Sequence, residues 1–473
     1  MSELPAGWSS AAVTDLARFV RGVTYSKTDA RESLASGLIG IIRANNIGDF
    51  RFDLSDLVYV PERFVSPEQK LQIGDVVIAT SSGSVSVVGK AAPVLRAMPF
   101  SFGAFCGVFR PVGEMEPRYF GRYFQSDEYR LAASAAARGV NINNLKRSHF
   151  DTFHIAFPGR EAQLRIADKL DLALSRVEAC RARLDRVPQI LRKFREAVLQ
   201  AAVSGRLTEE WRKDNQIAYA WVVTEIQSVS RVGTGSTPLR SHSNYYSESG
   251  TPWITSAATS QRIVMAAEKY VTDAAIKAHR LTLYPVGTLL VAMYGEGKTR
   301  GQVTELGIDA TINQACAAVV VDESIAVRGF VKLALQANYV EMRALAEGGN
   351  QPNLNLSKIK EFPLSLPSIP EQNEVVRRVD ALFEVADSLQ RRYGETIAQV
   401  EKLTPSVLAK AFRGELVPQD PNDEPAGEML ERIKKDPKCT METSRSHNKR
   451  RVDAGRKAGI SAPSRRQSNS TMS

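Results

Sequence analysis

At 473 residues, 43% hydrophobic and 24% charged, the chain is ordinary globular material, too long for one core and sufficient for two or three domains. It holds no run of about 18 apolar residues, which argues against a bilayer-spanning helix, and its opening MSELPAGWSS lacks the basic and apolar regions of a secretion signal. The net charge of +10 admits a nucleic-acid partner, yet from Thr440 to Ser473 eight Lys or Arg face two acids (8 − 2 = +6), so the folded part is only mildly basic and charge is weak support.

The first segment reads as short strands over residues 38–43, 76–80 and 104–109, then an amphipathic helix over about 117–136. A polar loop from Gly139 leads to a strand ending at Phe157-Pro158. Residues 161–202 then form a helix roughly 60 Å long at about 1.5 Å per residue. Its apolar residues, Leu170, Leu174, Val177, Leu184, Leu191, Phe194 and Val198, recur in steps of three, four or their sum, the seam of one long helix meeting another. A second set of strands follows over 253–256, 289–293 and 315–321, with a helix over about 327–345, a polar loop from Gly348 and a strand ending at Leu366-Pro367. A second long helix carries Val379, Phe383, Ala386, Tyr393, Val400, Leu403 and Val407. A polar, basic tail from about residue 436 has the composition of a disordered extension.

The helical stretches are copies of one another. Gln163 and Gln372, Asp171 and Asp380, Val198 and Val407, Gly205 and Gly414 keep one offset (372 − 163 = 209). The segments before them correspond more loosely: Gly74 and Gly287 differ by 213 (287 − 74 = 213), as loop insertions and deletions allow. The expected fold is α+β, two globular α/β units separated by two long antiparallel helices that form a coiled-coil spacer, related by an internal pseudo-two-fold repeat. Ser368 and Glu371 have capping-box spacing, and Gly205 and Gly414 stand where helix C-caps need positive φ. Pro188 and Pro405 should each kink or break their helix. The four cysteines, Cys106, Cys180, Cys316 and Cys439, make no CxxC pair, which argues against a zinc cluster or disulfide framework and fits a reducing cytoplasm. Cys106 and Cys316 fall at matching places and read as buried apolar residues.

No catalytic or metal-binding constellation emerges. The stretch Gly295-Glu-Gly297-Lys298-Thr299 ends like a phosphate-binding loop, but Ala292 stands where that motif needs glycine, and Arg300-Gly301-Gln302 reads as a turn entering a strand. The five histidines are scattered, and His149 and His154 are too poorly spaced to share a metal. Side chains able to match base edges do cluster. In the first unit they are Arg43, Asn45 and Asn46; Ser81, Ser82 and Ser84 with Lys90; and Arg138, Asn141, Asn143 and Lys146. In the second they are Thr255 and Ser256; Tyr294, Lys298, Thr299 and Arg300; and Asn350, Gln351 and Asn353. Each cluster is equally consistent with an ordinary polar turn. Specific readers should lie where the halves differ, because the closely matching Gly139 and Gly348 loops point to shared structure.

Three stretches carry a family resemblance: Leu191-Arg-Lys-Phe-Arg-Glu-Ala-Val-Leu-Gln-Ala-Ala-Val-Ser-Gly-Arg-Leu-Thr, Val407-Leu-Ala-Lys-Ala-Phe-Arg-Gly-Glu-Leu-Val-Pro-Gln-Asp, and the opening Leu4-Pro-Ala-Gly-Trp8. Over about residues 4–434 the chain resembles the specificity (S) subunit of type I restriction-modification systems, the HsdS family. The resemblance implies a first target recognition domain over 1–158, a first spacer helix over 159–207, a second recognition domain over 208–367, a second spacer helix over 368–416 and a C-terminal extension over 417–473. It implies a noncatalytic, cytoplasmic subunit whose domains each read half of a bipartite asymmetric target in double-stranded DNA. The helices would set the spacing and dock two methyltransferase subunits, with restriction subunits joining in the full complex. S-adenosylmethionine, ATP and Mg are then expected on the partners and no cofactor on this chain. The competing reading is a duplicated coiled-coil adaptor that organises partners without sequence-specific DNA contact.

Overall fold

The computed structural model describes residues 4–48, 50–84, 86–137, 143–218, 220–295, 299–346 and 353–435. Its contacts resolve two units, Met1–Ala182 together with Ile397–Ser473, and Arg183–Thr396. Each long helix therefore contributes residues to both units.

In the first unit, strands Ala17–Arg21, Cys106–Pro111, Val76–Ala79 and Ala91–Pro93 form an antiparallel sheet in that order. A smaller mixed sheet joins Val58–Pro61, Leu38–Ile42 and Phe100–Phe102, with the last pair parallel. The period-two alternation of strands explains how one sheet serves two cores. Val76 and Ile78 face a cluster containing Tyr119, Phe120, Ile166 and Leu170, whereas Val77 and Ala79 face one containing Ile42, Phe102 and Cys106. Covered on both sides, Val76–Ala79 is an unbroken apolar run.

The second unit repeats this plan. Strands Ser230–Thr234, Cys316–Val321, Leu289–Ala292 and Val303–Leu306 form the main sheet in the same order, with Ile263–Val264 added at its edge. Leu289 and Val291 face the helical side, and Leu290 faces the smaller cluster with Ile254 and Ile312. The smaller sheet holds Thr251–Ile254 parallel to Thr311–Ile312. Cys106 and Cys316 are buried at matching strand starts, and burial pushes both thiols up to about 12.

Two expected helices are each divided. Residues 117–136 split into Pro117–Tyr123 and Asp127–Ala136, because Ser126 accepts a hydrogen bond from the Tyr129 N–H and starts a new helix. Its counterpart splits into Arg328–Ala337 and Tyr339–Ala344 at Asn338.

The first long helix also falls in two, Arg160–Leu184 and Val187–Val203, with Pro188 in the first turn of the second piece. Gly205 and Gly414 adopt φ of 74° and 75°. The second long helix runs unbroken from Ile369 to Phe412 through Pro405, contrary to the expected interruption. The carbonyl that proline leaves without a helical partner belongs to exposed Glu401, where water can satisfy it.

Along both helices Leu170, Leu174, Leu191, Val198, Val379, Ala386 and Val400 are buried, and Val177, Leu184, Phe194, Phe383, Tyr393 and Val407 partly so. Leu403 departs from the expected seam at 44% exposure. At about 100° per residue, the stripe of Val400, Leu408 and Ala411 leaves Leu403 on its flank. Glu371 is no capping residue either. It is 2% exposed and its Oε1 accepts from Thr208 Oγ1 at 2.7 Å, from Trp221 Nε1 at 3.2 Å and from Arg212, since an unpaired carboxylate could not stay buried there.

Candidate nucleic-acid interface

In the first unit the parallel pairing of Leu38–Ile42 with Phe100–Phe102 brings the segments that follow these strands to one side. Past the strand ends lies an open groove of about 1060 Å³, lined by Tyr25, Lys27, Arg31, Arg43, Asn45, Ser81, Ser82 and Phe105 among others. Three cations and one acid, Glu32, line it, with the Asp56 carboxylate paired to Arg43 beside it; the remaining positive charge suits a polyanion. Phe105 is 68% exposed at the groove, while its carbonyl accepts from the Thr80 and Ser81 N–H groups at 2.9 and 3.2 Å. Burial raises the Tyr25 hydroxyl above its ordinary value, with the positive charge of Arg43 pulling the other way.

The groove wall at Arg43 is a braced turn. Residues Ala44–Asn46 form one turn of 3-10 helix. The Asn46 Oδ1 accepts from the Arg43 N–H at 2.9 Å, and its Nδ2 donates to the carbonyls of Asp53 and Asp56 at 3.0 and 2.8 Å. The Asp56 carboxylate in turn accepts from Arg43 Nη2 at 2.8 Å and from Asn45 Nδ2 at 3.1 Å.

The second unit has a smaller cavity of about 330 Å³ at the corresponding place, past Thr251–Ile254 and Thr311–Ile312, lined by Thr237, Arg240, Thr255, Gln261, Lys269 and Asn313 among others. Two glycines fix the correspondence (235 − 22 = 213). A Cβ on Gly22 would stand 2.0 Å from the Gly103 carbonyl oxygen, and one on Gly235 would stand 1.7 Å from that of Ile312. Only glycine lets the backbone pass this close.

The type I restriction modification DNA specificity domain matches residues 219–399. The chain is 36% identical over 457 residues to the type I restriction enzyme StySPI specificity subunit of Salmonella potsdam, covering 91% of this chain and 96% of that protein. It is 33% identical over 464 residues to the EcoKI specificity subunit of Escherichia coli strain K12, with the same two shares covered. The chain belongs to the type I restriction enzyme specificity subunit family. The fold agrees: a structure described for complex assembly and conformational transition of a type I restriction-modification system superposes with a TM-score of 0.66 at 17% identity, covering 88% of this chain and all of that one. The HsdS subunit of Thermoanaerobacter tengcongensis superposes with a TM-score of 0.58 at 17% identity, over 87% and 98% of the two chains.

Within this specificity-subunit fold, Arg43, Asn45, Ser81 and Ser82 are gathered on one groove and Thr255 on the other. Asn46 is corrected from a reader to a brace, being 1% exposed with its amide bonded on both sides. Ser84 is tied to its own loop, its N–H to Ser82 Oγ at 3.2 Å and its Oγ to that of Ser86 at 2.8 Å. Lys90 is partly buried and Lys146 exposed, and neither lines the groove. Ser256 opens a 3-10 turn whose carbonyl accepts from Thr259 Oγ1 at 2.6 Å. Tyr294, Thr299 and Arg300 sit on a different turn from Thr255. That turn enters strand Val303–Leu306 through Gly301 at φ 82°, where a nucleotide-binding loop would enter a helix. Asn353 is partly buried. Arg138, Asn141, Lys298, Asn350 and Gln351 lie outside the described residues, as does the side chain of Asn143, whose backbone pairs with Ser82.

Tyr25, Lys27, Arg31 and Phe105, and in the second unit Thr237, Arg240, Gln261, Lys269 and Asn313, were not singled out from the sequence. Aligning the halves on Gly22 and Gly235 would have drawn attention to Thr24 and Thr237 beside them.

Proposed function

We infer that this chain is the noncatalytic DNA sequence-recognition subunit of a type I restriction-modification complex. Each unit reads one half of a bipartite, asymmetric target in double-stranded DNA through its groove. The two long helices form an antiparallel spacer that sets the gap between the halves and docks two methyltransferase subunits, and restriction subunits join in the full complex. S-adenosylmethionine, ATP and Mg belong to those partners. The five-part organisation, with recognition domains over 1–158 and 208–367 and spacer helices over 159–207 and 368–416, follows the same reading.

The observation that carries this reading is the pair of grooves past equivalent strand ends, lined by different donors and acceptors. A shared backbone plan with unlike side chains is what an asymmetric two-part target requires, since phosphate contacts position a protein and base-edge contacts specify sequence. The test is mobility shift and methylation mapping with the purified methyltransferase complex. A two-part motif with a fixed gap is expected. Equal affinity for all duplexes, with no motif in the methylated DNA, would overturn it in favour of the adaptor reading.

A further inference from the structure

The two grooves correspond most closely at the residue just past the floor strands Leu38–Ile42 and Thr251–Ile254. Arg43 has φ −110° and ψ 168° at the head of its 3-10 turn, and Thr255 has φ −109° and ψ 167° at the head of its own. The backbone platform is the same while the side chain changes from a long cation to a short hydroxyl. This is the kind of position where two halves of one fold acquire different readings.

Arg43 is held, not merely present. Its Nη2 donates to both the carboxylate and the carbonyl oxygen of Asp56, at 2.8 and 3.0 Å, and Asn46 fixes that carbonyl from below. Its side chain remains 32% exposed, and Nη1 has no hydrogen bond among the described residues. A surface arginine ordinarily loses rotamer freedom when it binds; here Asp56 has already fixed the guanidinium through Nη2, and Nε is buried, which leaves the two N–H bonds of Nη1 to donate at the groove. Arginine can only donate. In the DNA major groove guanine offers two adjacent acceptors, N7 and O6, whereas adenine sets an amino donor beside its N7.

Building on the functional reading above, we propose that Arg43, oriented by Asp56, reads a guanine in the half-site bound by the first unit, and that Thr255 is the corresponding specificity-determining position of the second. Arg43 is the contacting residue and Asp56 a positioning residue.

The test is methylation mapping and competition binding with the full chain in its methyltransferase complex, comparing wild type with R43A, R43K, D56A and T255A. Wild type should recognise at least one guanine in the first unit's half-site. R43A should lower discrimination at that single base pair by about 10- to 100-fold and leave the other half unchanged. R43K should not restore it, because a lone ammonium nitrogen cannot both hold Asp56 and present a second nitrogen to the base. D56A should weaken discrimination at the same base pair, and T255A should act only on the other half. A wild-type motif with no guanine in that half would overturn the proposal while leaving the subunit's function standing. So would an R43A complex that binds every duplex more weakly with a shallower salt dependence, the mark of a phosphate contact. Absence of any wild-type motif would instead sink the functional reading itself. Assembly with the methyltransferase, measured for each variant, separates lost folding from lost reading.

Discussion

Gln163 and Gln372 are buried and make the same pair of bonds in their two units. Each sends its Nε2 to a proline carbonyl five residues back, Pro158 or Pro367, at 2.8 Å. Each accepts on Oε1 the backbone N–H that leads into the helix of its own α/β unit, Glu116 at 2.9 Å or Val327 at 2.7 Å. The amide thus clamps the start of each long helix to the strand before it and to the domain above it. Q163A should cost about 1–3 kcal/mol by leaving a buried N–H unmatched, with hydrogen exchange accelerating around residues 106–123 and not around 289–306. Q372A should give the mirror pattern. Uniform acceleration in both units would contradict two separately clamped domains.

Asp75 is fully buried and meets Arg110 by two bonds of 2.7 Å. The second unit has Thr288 near the matching place, donating to the Pro285 carbonyl at 2.7 Å. R110A should therefore cost about 3–5 kcal/mol by stranding the carboxylate, seen as loss of the first unit's cooperative unfolding transition. The double variant D75T/R110V should recover much of it.

E371A should be comparably damaging in the second unit, because Thr208, Arg212 and Trp221 share that one carboxylate. The expected loss is about 3–5 kcal/mol, read by unfolding of a Trp221-reporting fluorescence signal. Glu371→Gln keeps an acceptor and should lose less.

Cys106 and Cys316 should resist alkylation in the native protein while exposed Cys180 reacts. Both buried thiols are raised to about 12. Their contribution to stability is whole below the ordinary thiol value of 9.0 and shrinks as pH rises from there toward 12, because only the unfolded chain ionises in that window. Equal labelling of all three at neutral pH would rule this out.

Inserting about four residues, one helical turn, near Arg181 should lengthen the gap between half-sites and leave each half-site unaltered. Exchanging residues 1–158 for those of another family member should alter one half only. Methylation mapping reads both outcomes, and new bases in both halves would contradict modular reading.

Much of this was legible because a helix repeats its pattern locally. The offset of 209 across the long helices depends on neighbours three and four residues apart, and the positive φ of Gly205 and Gly414 followed from where the stripe stops. Leu403 shows the limit, since periodicity says which way a side chain points but not whether anything covers it. The groove was partly hidden for a different reason. Lys27, Arg31, Arg43 and Phe105 meet through a parallel strand pairing between residues about sixty apart (100 − 40 = 60), a partnership no local pattern announces. Asn46 and Asn45 are adjacent and chemically identical, yet Asn46 is buried as a brace between Arg43, Asp53 and Asp56, while Asn45 is exposed with its amide on the Asp56 carboxylate; bonds to residues up to eleven positions away separate them.

The first unit is sewn from both ends of the described chain: Ala426 donates its N–H to the Gly7 carbonyl at 2.8 Å, and Trp8 reaches Gln419 at 2.9 Å. Residues 7–8 and 419–426 therefore meet inside one unit, although the whole of the other unit lies between them in sequence. A version spliced at that junction and opened in the stretch after Leu207 would keep these packing partners while exchanging which half is made first. Loss of residues beyond 396, by contrast, would remove the floor beneath the half that was synthesised earliest.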